Sequence, residues 1–259
     1  MKKIKIPSPK MYYDIDLNKM YENEKQNNLS NWFYKLLDLS KIHNEIKLPK
    51  TTVFPDYDIN NLFLIFDGKE SSEFNRLISD IIKELDNYKL PCFIRSGVSS
   101  AKHYWEKTCY LQSNNIEIVK KQVYAILEFC AIVDIPINEF VIRELLPTNP
   151  IFYAFNKMPI AKERRYFIDK GKVIHIQPYW PPEAFVKNYF GSQLPDNWLD
   201  ILNDSNIQSE EEVELLTTLS ELVGTVLPGY WSVDWLLTTN GWYLTDMALG
   251  KNSYKWEVI

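Results

Sequence analysis

Apolar residues recur at helical spacing in three stretches of the chain, each with apolar positions three or four residues apart. The three stretches are 74–85, 116–130 and 213–223. Residues that can cap them are Ser71, Asn114 and Ser209. Glu117 and Glu212 each lie three positions after a cap residue, which is the spacing of a capping box. The pattern therefore predicts three amphipathic helices.

Shorter apolar runs bounded by turn residues predict strands. These runs cover residues 62–66, 91–95, 140–146, 165–168, 173–176, 231–237 and 242–248. Asp169-Lys170-Gly171 predicts a hairpin between the fourth and fifth runs, and Asn240-Gly241 lies in the turn of a second hairpin at the end of the sequence. Helices and hairpins in this order predict an α+β protein with antiparallel sheets.

Length and composition favour a folded chain that contains a substantial core. The sequence has 259 residues, of which 46% are hydrophobic, and this length exceeds a typical domain of roughly 100 to 200 residues without reaching two. One domain with lobes is therefore expected. The net charge of −5 makes general nucleic-acid binding unfavourable, although basic residues outnumber acidic ones between residues 157 and 172. That basic stretch is also compatible with an ordinary solvated strand face.

The cysteines and the first residues of the sequence bear on the cellular location of the protein and not on its function. Cys92, Cys109 and Cys130 lie in apolar surroundings without C-x-x-C spacing, so neither a disulfide framework nor a zinc site is predicted. The basic residues after Met1 are not followed by an apolar segment, and no run approaches the ~18 apolar residues of a membrane span. We expect a soluble, cytoplasmic protein without a membrane partner.

Charged residues inside apolar strands are the candidate functional residues. A charge in a buried strand is unfavourable unless it is paired or binds a ligand. The positions concerned are Arg95, Arg143, Glu144, Glu163, Arg165, Asp234 and Asp246. Cross-strand salt bridges between Arg143 and Glu144, or between Glu163 and Arg165, are an equally simple interpretation. Lys102, in the small-residue loop after residue 95, could likewise be a solvated lysine.

Four of these segments resemble the ATP-grasp superfamily, over about residues 91–259. Residues 140–147 (FVIRELLP) are similar to the strand of its adenine hinge, and residues 163–174 (ERRYFIDKGKVI) to a hairpin that begins Glu-x-Arg. Residues 232–235 (SVDW) and 244–248 (LTDMA) are similar to its terminal metal-binding hairpin. Residues 93–102 (FIRSGVSSAK) look most like the cell division cycle protein 123 family, and related bacterial and phage ATP-grasp proteins share parts of this stretch.

The resemblance implies an ATP-grasp-like fold in which two α+β lobes with antiparallel sheets clasp a nucleotide cleft. The implied divisions are an N-terminal region at 1–90, a smaller lobe with the adenine hinge at 91–150, and a lobe with the metal-binding hairpin at 151–259. ATP and Mg²⁺ are the implied cofactors. The implied nucleotide-binding residues are Arg95, Lys102, Arg143, Glu144, Leu145, Leu146 and Arg165, of which Lys102 and Arg165 are catalytic. Asp234 and Asp246 are the implied metal ligands.

One departure from the family pattern concerns the second metal ion. Ala248 stands where the family has a metal-binding Asn, so Asn252 or Ser253 would have to replace that ligand. Three functions follow from the resemblance: a ligase that phosphorylates a carboxylate acceptor, an ATP-binding assembly factor for a partner protein, or a catalytically silent binder. The sequence does not identify the acceptor as a small molecule, a peptide or a protein.

The terminal hairpin allows a geometric prediction. A two-residue turn at Asn240-Gly241 would place Asp234 and Asp246 on opposite faces of the sheet. A three-residue loop, 239–241, would pair Asp234 directly with Asp246, and a nearby cation would then be needed to offset their repulsion. We expect the three-residue loop, both carboxylates on one cleft-facing side, and an unusual magnesium requirement for stability.

Overall fold

Two antiparallel four-stranded sheets form the framework of the protein in a computed structural model, which describes residues 22–135, 137–186 and 194–256. The strands are β1 (Thr51–Phe54), β2 (Cys92–Ser96), β3 (Tyr110–Leu111), β4 (Phe140–Glu144), β5 (Phe152–Ala154), β6 (Met158–Ile160), β7 (Glu163–Asp169), β8 (Lys172–Pro178), β9 (Tyr230–Thr238) and β10 (Gly241–Leu249). The first sheet has the order β1-β4-β2-β3 and the second β10-β9-β7-β8. Strands β5 and β6 form a separate pair.

Helices of varied length connect the strands in the described part of the chain. They are α1 (Leu29–Ile42), α2 (Ile59–Leu62), α3 (Ser72–Leu85), α4 (Trp105–Thr108), α5 (Ile116–Ile132), α6 (Glu183–Val186), α7 (Trp198–Asn206) and α8 (Glu210–Val226). Short 3₁₀ turns cover Glu22–Asn27, Phe63–Asp67, Lys102–Tyr104 and Gly250–Asn252. Among the residues described, no helix combines the length and the apolar character needed to cross a membrane.

The three predicted amphipathic helices are present as α3, α5 and α8, with differences at two caps. Ser71 Oγ accepts the hydrogen bond of Phe74 N–H at 2.9 Å, as expected. The cap of α5 is Asn115 rather than Asn114, because Asn115 has extended backbone angles and its Oδ1 accepts from two amides of the first turn. Ser209 caps α8 as predicted. The carboxylate of Glu212, however, binds basic side chains of the second sheet.

The apolar run 62–66 is not the strand that its composition predicts. It forms the end of α2 and a 3₁₀ turn, and the Asp58 side chain caps this segment by accepting from Asn60 N–H at 2.9 Å. Leu62 is buried, and Phe63 and Phe66 pack against the core of the first sheet. The edge of β4 that such a strand could have used is occupied by β1. Helical packing therefore satisfies both the backbone and the apolar side chains of this segment.

Each sheet uses one face to build an apolar core. Helices α3 and α5 cover one face of the first sheet, where Leu77 and Val123 join Ile94 and Ile142 in one cluster. Helices α1 and α8 cover one face of the second sheet with residues such as Trp32, Val223 and Trp235. Because successive side chains of a strand point to opposite faces, charged residues such as Arg95, Arg143, Arg165 and Asp234 lie on the other faces. Those faces are where a site can form.

A contact between two glycines joins α8 to the turn of the β7–β8 hairpin. A Cβ atom added to Gly224, in α8, would lie 2.6 Å from Gly171 Cα. Gly171 has φ of +78° at the hairpin turn, a conformation that glycine adopts without steric cost. The helix therefore packs directly on the backbone of the hairpin.

We predict that Gly224→Ala destabilises the protein. Overpacking against backbone costs roughly 1 to 3 kcal/mol, and the better helix propensity of alanine offsets up to about 1 kcal/mol of this. Urea unfolding followed by circular dichroism should show a net loss of about 1 to 2 kcal/mol. Thr218→Ala, at an exposed position of the same helix, serves as the control and should change stability by less than about 0.5 kcal/mol. Equal stability of Gly224→Ala and the wild type would contradict the close helix–hairpin contact.

Candidate functional site

A cleft of about 730 Å³ lies between the free faces of the two sheets and brings together most of the expected site residues. The expected residues that line it are Arg95, Lys102, Arg143, Glu144, Leu145, Leu146 and Asp246. Apolar side chains, among them Phe93, Met158 and Leu236, complete the lining. One cleft thus combines apolar surface with three basic side chains.

The terminal hairpin places Asp246 opposite Asp234, but by a route that differs from the expected one. Gly241 pairs with Thr238, so the loop has two residues, Thr239 and Asn240, and the expected three-residue loop is wrong. A β-bulge at Thr245 inserts one extra residue into β10 and restores the pairing of the two aspartates. Both carboxylates therefore belong to the cleft-facing side of the sheet, as expected.

Contacts from distant segments hold the short loop. Thr238 Oγ1 donates to Gly241 C=O at 2.7 Å and accepts from Asn240 N–H at 3.0 Å. Thr239 N–H donates to the carbonyl of Pro147 at 3.0 Å, and Lys47 Nζ donates to Asn240 C=O at 2.6 Å. Pro147 and Lys47 lie far away in sequence, so the local turn pattern carried no information about these contacts.

Guanidinium groups neutralise both aspartates. Asp234 is bound on both oxygens by Arg165, with Nε–Oδ1 and Nη2–Oδ2 distances of 2.7 and 2.8 Å. Asp246 Oδ2 lies 2.8 Å from Nη1 of Arg95, whose side chain is 2% exposed. Burial acts to lower the pKa of Arg165, but the charge of Asp234 raises it above its ordinary value. Two arginines therefore supply the positive charge that offsets the repulsion between these two carboxylates.

Lys102 forms a second buried ion pair across the cleft. Its Nζ lies 3.0 Å from Glu163 Oε1 and 4.4 Å from the ring centroid of Tyr179. Burial opposes the charge on Lys102, yet Glu163, Tyr179 and Asp234 together raise its pKa. Burial and the charge of Asp234 likewise keep the pKa of Glu163 above its usual range. Lys102 is thus a cation at neutral pH rather than a solvated loop lysine.

Neither of the simple cross-strand salt bridges is present. Glu163 pairs with Lys102, and Arg165 pairs with Asp234. Arg143 is 4% exposed and its Nη1 donates to the carbonyl of Thr245. Burial and the neighbouring charge of Arg95 lower the pKa of Arg143 to about 9. Arg143 therefore remains a cation at neutral pH.

The expected adenine hinge forms the end of β4. Pairing of β4 with β1 and β2 stops by Glu144, and Leu145 and Leu146 continue as irregular backbone along the cleft. Glu144 Oε1 accepts from Lys50 N–H at 2.7 Å, which ties the exposed carboxylate to the segment before β1. Backbone groups beyond the end of a ladder are available to a ligand.

The small-residue loop after β2 is partly bonded to itself and to its neighbours. Ser96 Oγ accepts from Ser99 N–H at 3.0 Å, and Gly97 N–H donates to Glu139 C=O at 2.8 Å. A Cβ on Gly97 would lie 2.2 Å from a carboxylate oxygen of Glu139, so a larger residue there would displace the Glu139 side chain. Lys102 N–H also donates to Ser100 C=O at 2.7 Å, so three backbone N–H groups of the loop are engaged within the protein, while Ser100 lines the cleft.

A second cavity of about 980 Å³ lies beyond Lys102. Ser100 and Lys102 line both cavities, and Arg165 lines only the second. Its walls are aromatic: Tyr104, Phe129, Tyr179, Trp180 and Tyr254. These residues come from four separate segments of the chain, so their proximity depends on the fold.

The basic stretch at 157–172 is largely neutralised by carboxylates. The ion pairs are Lys157–Glu106, Lys162–Glu212, Arg164–Glu212, Arg165–Asp234 and Lys172–Glu221, at 2.6 to 2.9 Å. Arg164 is fully buried and also donates to the carbonyls of Ser205 and Ile207. Much of this stretch therefore serves to attach α7 and α8 to the second sheet.

Of the two aspartates, Asp246 has room for a magnesium ion, whereas Asp234 is 2% exposed and held on both oxygens by Arg165. Within the described residues, no group of three or more His, Cys, Asp or Glu side chains could hold a metal ion by itself. Asp246 lines the cleft with a side chain that is 22% exposed. Each of its oxygens accepts one hydrogen bond, from Arg95 and from Met247 N–H, which leaves further lone pairs. Magnesium typically takes one or two protein carboxylates plus phosphate oxygens and water.

Comparisons with known proteins identify the fold. No protein-family model matches the sequence, and a comparison with curated proteins also finds no match. Among solved structures, Cdc123 from Schizosaccharomyces pombe aligns with a TM-score of 0.51 and 12% identity, over 87% of this chain and 84% of that chain. Its C-terminally truncated form gives 0.50 and 12%, over 88% and 85%.

A RimK domain ATP-grasp protein from Sphaerobacter thermophilus aligns with a TM-score of 0.44 and 11% identity, over 88% of this chain and 60% of that chain. The similarity to Cdc123 extends over most of both chains. The protein therefore has an ATP-grasp-like α+β fold near that of Cdc123, as its sequence led us to expect.

Proposed function

We propose that the protein binds ATP together with Mg²⁺ in the cleft between its two sheets. The observation that carries this proposal is that one cleft collects an irregular strand end at Leu145 and Leu146, the cations Arg95 and Lys102, and the carboxylate of Asp246. A purine needs apolar surface and free backbone groups, while a triphosphate needs cations and a metal ion. The cleft offers the apolar surface, the backbone groups, the cations and a carboxylate for the metal ion in one place.

In this proposal each group of residues binds a different part of the magnesium–nucleotide complex. Glu144 and the backbone around Leu145 and Leu146 form the adenine edge, and Arg95, Lys102 and Arg143 bind phosphate oxygens. Asp246 and Asp234 hold Mg²⁺, which when bound neutralises charge on the phosphates. Lys102 and Arg165 stabilise the negative charge that develops at the transferred phosphoryl group. Catalysis of this type depends on positioning and electrostatics, and it requires neither a histidine nor a cysteine.

The reaction that we propose is ligation. A carboxylate oxygen of the acceptor attacks the γ-phosphorus, the bond to the bridging oxygen breaks, and ADP leaves. A nucleophile then attacks the acyl carbon and displaces inorganic phosphate. The second cavity suits the acceptor, because Lys102 lines both that cavity and the nucleotide cleft. A group bound there would approach the phosphates from the side of Lys102 and Arg165.

An assembly factor that binds ATP without ligating anything is the second candidate. Two observations favour it: the similarity of fold to Cdc123, and Ala248 in place of the metal-binding Asn expected in the terminal hairpin. Loss of that ligand weakens the case for a second metal ion and hence for phosphoryl transfer. In this candidate function the aromatic second cavity would bind part of a partner protein instead of a small acceptor.

Calorimetry and product analysis separate these candidates. Isothermal titration with ATP, with and without Mg²⁺, tests nucleotide binding; wild-type protein that binds no ATP would overturn the proposed function. Release of ADP and phosphate that depends on an added carboxylate and amine would support ligation. Tight ATP binding without acceptor-dependent ADP release would instead favour the assembly factor.

We predict that Lys102 and Arg95 contribute to phosphate binding. The double variant Lys102→Ala/Arg95→Ala should weaken ATP binding more than ~10-fold, because a hydrogen bond to a charged group contributes roughly 1.5 to 3 kcal/mol. Lys172→Ala is the matched control, since it removes a lysine whose side chain is 75% exposed and paired outside the cleft. Titration calorimetry at constant ionic strength is the measurement. An affinity in the double variant equal to that of Lys172→Ala would refute these contacts.

We also predict where the purine lies. In a crystal structure with a non-hydrolysable ATP analogue, the adenine edge should be hydrogen-bonded to backbone groups of residues 144–146, where the strand ladder ends. The pairing of Glu144 Oε1 with Lys50 N–H should persist, because it lies on the β1 side of the strand. A purine bound elsewhere in the cleft would show that the hinge assignment is wrong.

A further inference from the structure

Arg143 is a buried cation without an ion-pair partner in the described part of the chain. Arg95, Arg164 and Arg165 each have a carboxylate oxygen within 2.6 to 2.8 Å. No such pair forms at Arg143, and its Nε and Nη2 atoms have no hydrogen-bond partner among the described residues. Buried polar groups are nearly always bonded, and an uncompensated buried charge lowers stability. An arginine in this state indicates a ligand that supplies the missing acceptors.

The surroundings of Arg143 do not neutralise it. The guanidinium carbon lies 5.8 Å from the ring centroids of both Trp32 and Phe33, on α1. Arg95, on the adjacent strand, repels the charge of Arg143, whereas Asp246 and Glu139 attract it, and burial keeps the pKa of Arg143 below its usual value. The side chain nevertheless lines the nucleotide cleft. Its Nε and Nη2 atoms are therefore buried beside the cleft without an acceptor among the described residues.

The third guanidinium nitrogen of Arg143, Nη1, contacts the terminal hairpin. Nη1 donates to the carbonyl of Thr245, the extra residue of the β10 bulge. Thr245 Oγ1 also donates to Asp234 C=O at 3.3 Å. Since the bulge brings Asp246 opposite Asp234, the contact from Arg143 supports the register on which both carboxylates depend. One guanidinium therefore touches both the cleft and the metal-binding hairpin.

We propose that Arg143 binds an anionic oxygen of the nucleotide with Nε and Nη2 while Nη1 holds the Thr245 bulge, so that it links nucleotide binding to the position of Asp246. This role rests on the proposed ATP-binding function. Arg143 is a binding and positioning residue in this scheme. The nucleotide adds the negative charge that Arg143 lacks, and the fork of three nitrogens fixes the hairpin relative to that charge.

Two variants test the proposal. Arg143→Met removes the charge and all three donors, and Arg143→Lys keeps the charge without the guanidinium fork. Titration calorimetry with ATP, with and without Mg²⁺, should show at least ~10-fold weaker binding for Arg143→Lys and a larger loss for Arg143→Met. The enhancement of ATP affinity by Mg²⁺ should fall at least ~3-fold in Arg143→Met, because Asp246 loses its support.

Thermal unfolding of the nucleotide-free proteins distinguishes this role from a structural one. Arg143→Met should keep or raise the wild-type Tm, since it removes an unpaired buried charge. Arg164→Met is the matched control: that arginine is equally buried, fully paired and outside the cleft lining, so its loss should lower the Tm by several degrees.

A lower Tm for Arg143→Met, including failure to fold, would show a structural role and overturn the proposal. Unchanged ATP affinity in both Arg143 variants, with binding by the wild type, would overturn it while leaving the proposed function intact. Absence of ATP binding by the wild type would overturn the proposed function and this inference with it.

Discussion

The pairing of buried charges between the facing sides of the two sheets is the constraint on which the rest of the structure depends. Arg95 in β2 reaches Asp246 in β10, and Lys102, just after β2, reaches Glu163 in β7. In each pair the cation comes from the first sheet or the loop after it, and the carboxylate comes from the second. A buried ion that loses its partner costs several kcal/mol. The two sheets therefore cannot shift relative to each other without exposing or isolating these charges.

The same pairs shape what the cleft can bind. Arg95, Lys102 and Arg165 are each already matched by a carboxylate, so an anionic ligand alone would compete with the protein's own acids. An anion that brings a divalent cation avoids this competition, because the metal takes the carboxylates as the anion takes the basic groups. In the proposed function, this exchange is the physical reason why a magnesium–nucleotide complex would suit the cleft better than a free nucleotide.

The bulge at Thr245 is a second, geometric constraint. Side chains of a strand alternate between faces, so a one-residue change of register moves a residue to the other face. With the two-residue loop that the protein has, Asp234 would face Thr245 if β10 were regular, and the inserted residue restores the pairing with Asp246. The bulge thus allows a short loop, held by Pro147 and Lys47, to coexist with two carboxylates on one side of the sheet.

Periodicity and capping chemistry in the sequence determined helices α3, α5 and α8 and most of the strands, because these depend on neighbours three to seven residues apart. The charged positions within strands also identified the cleft, since burial of a charge always demands a partner or a ligand.

The sequence pattern could not assign partners: Glu163, two residues before Arg165, suggests a local bridge, yet each binds a residue more than 60 positions away. Nor could it place the run 62–66, whose apolar side chains suit a strand or a helix equally. Tertiary structure decided that case by filling the edge of β4 with β1. It also decided the loop of the last hairpin, the bulge at Thr245 and the unpaired state of Arg143, since each depends on atoms that only the folded chain brings together.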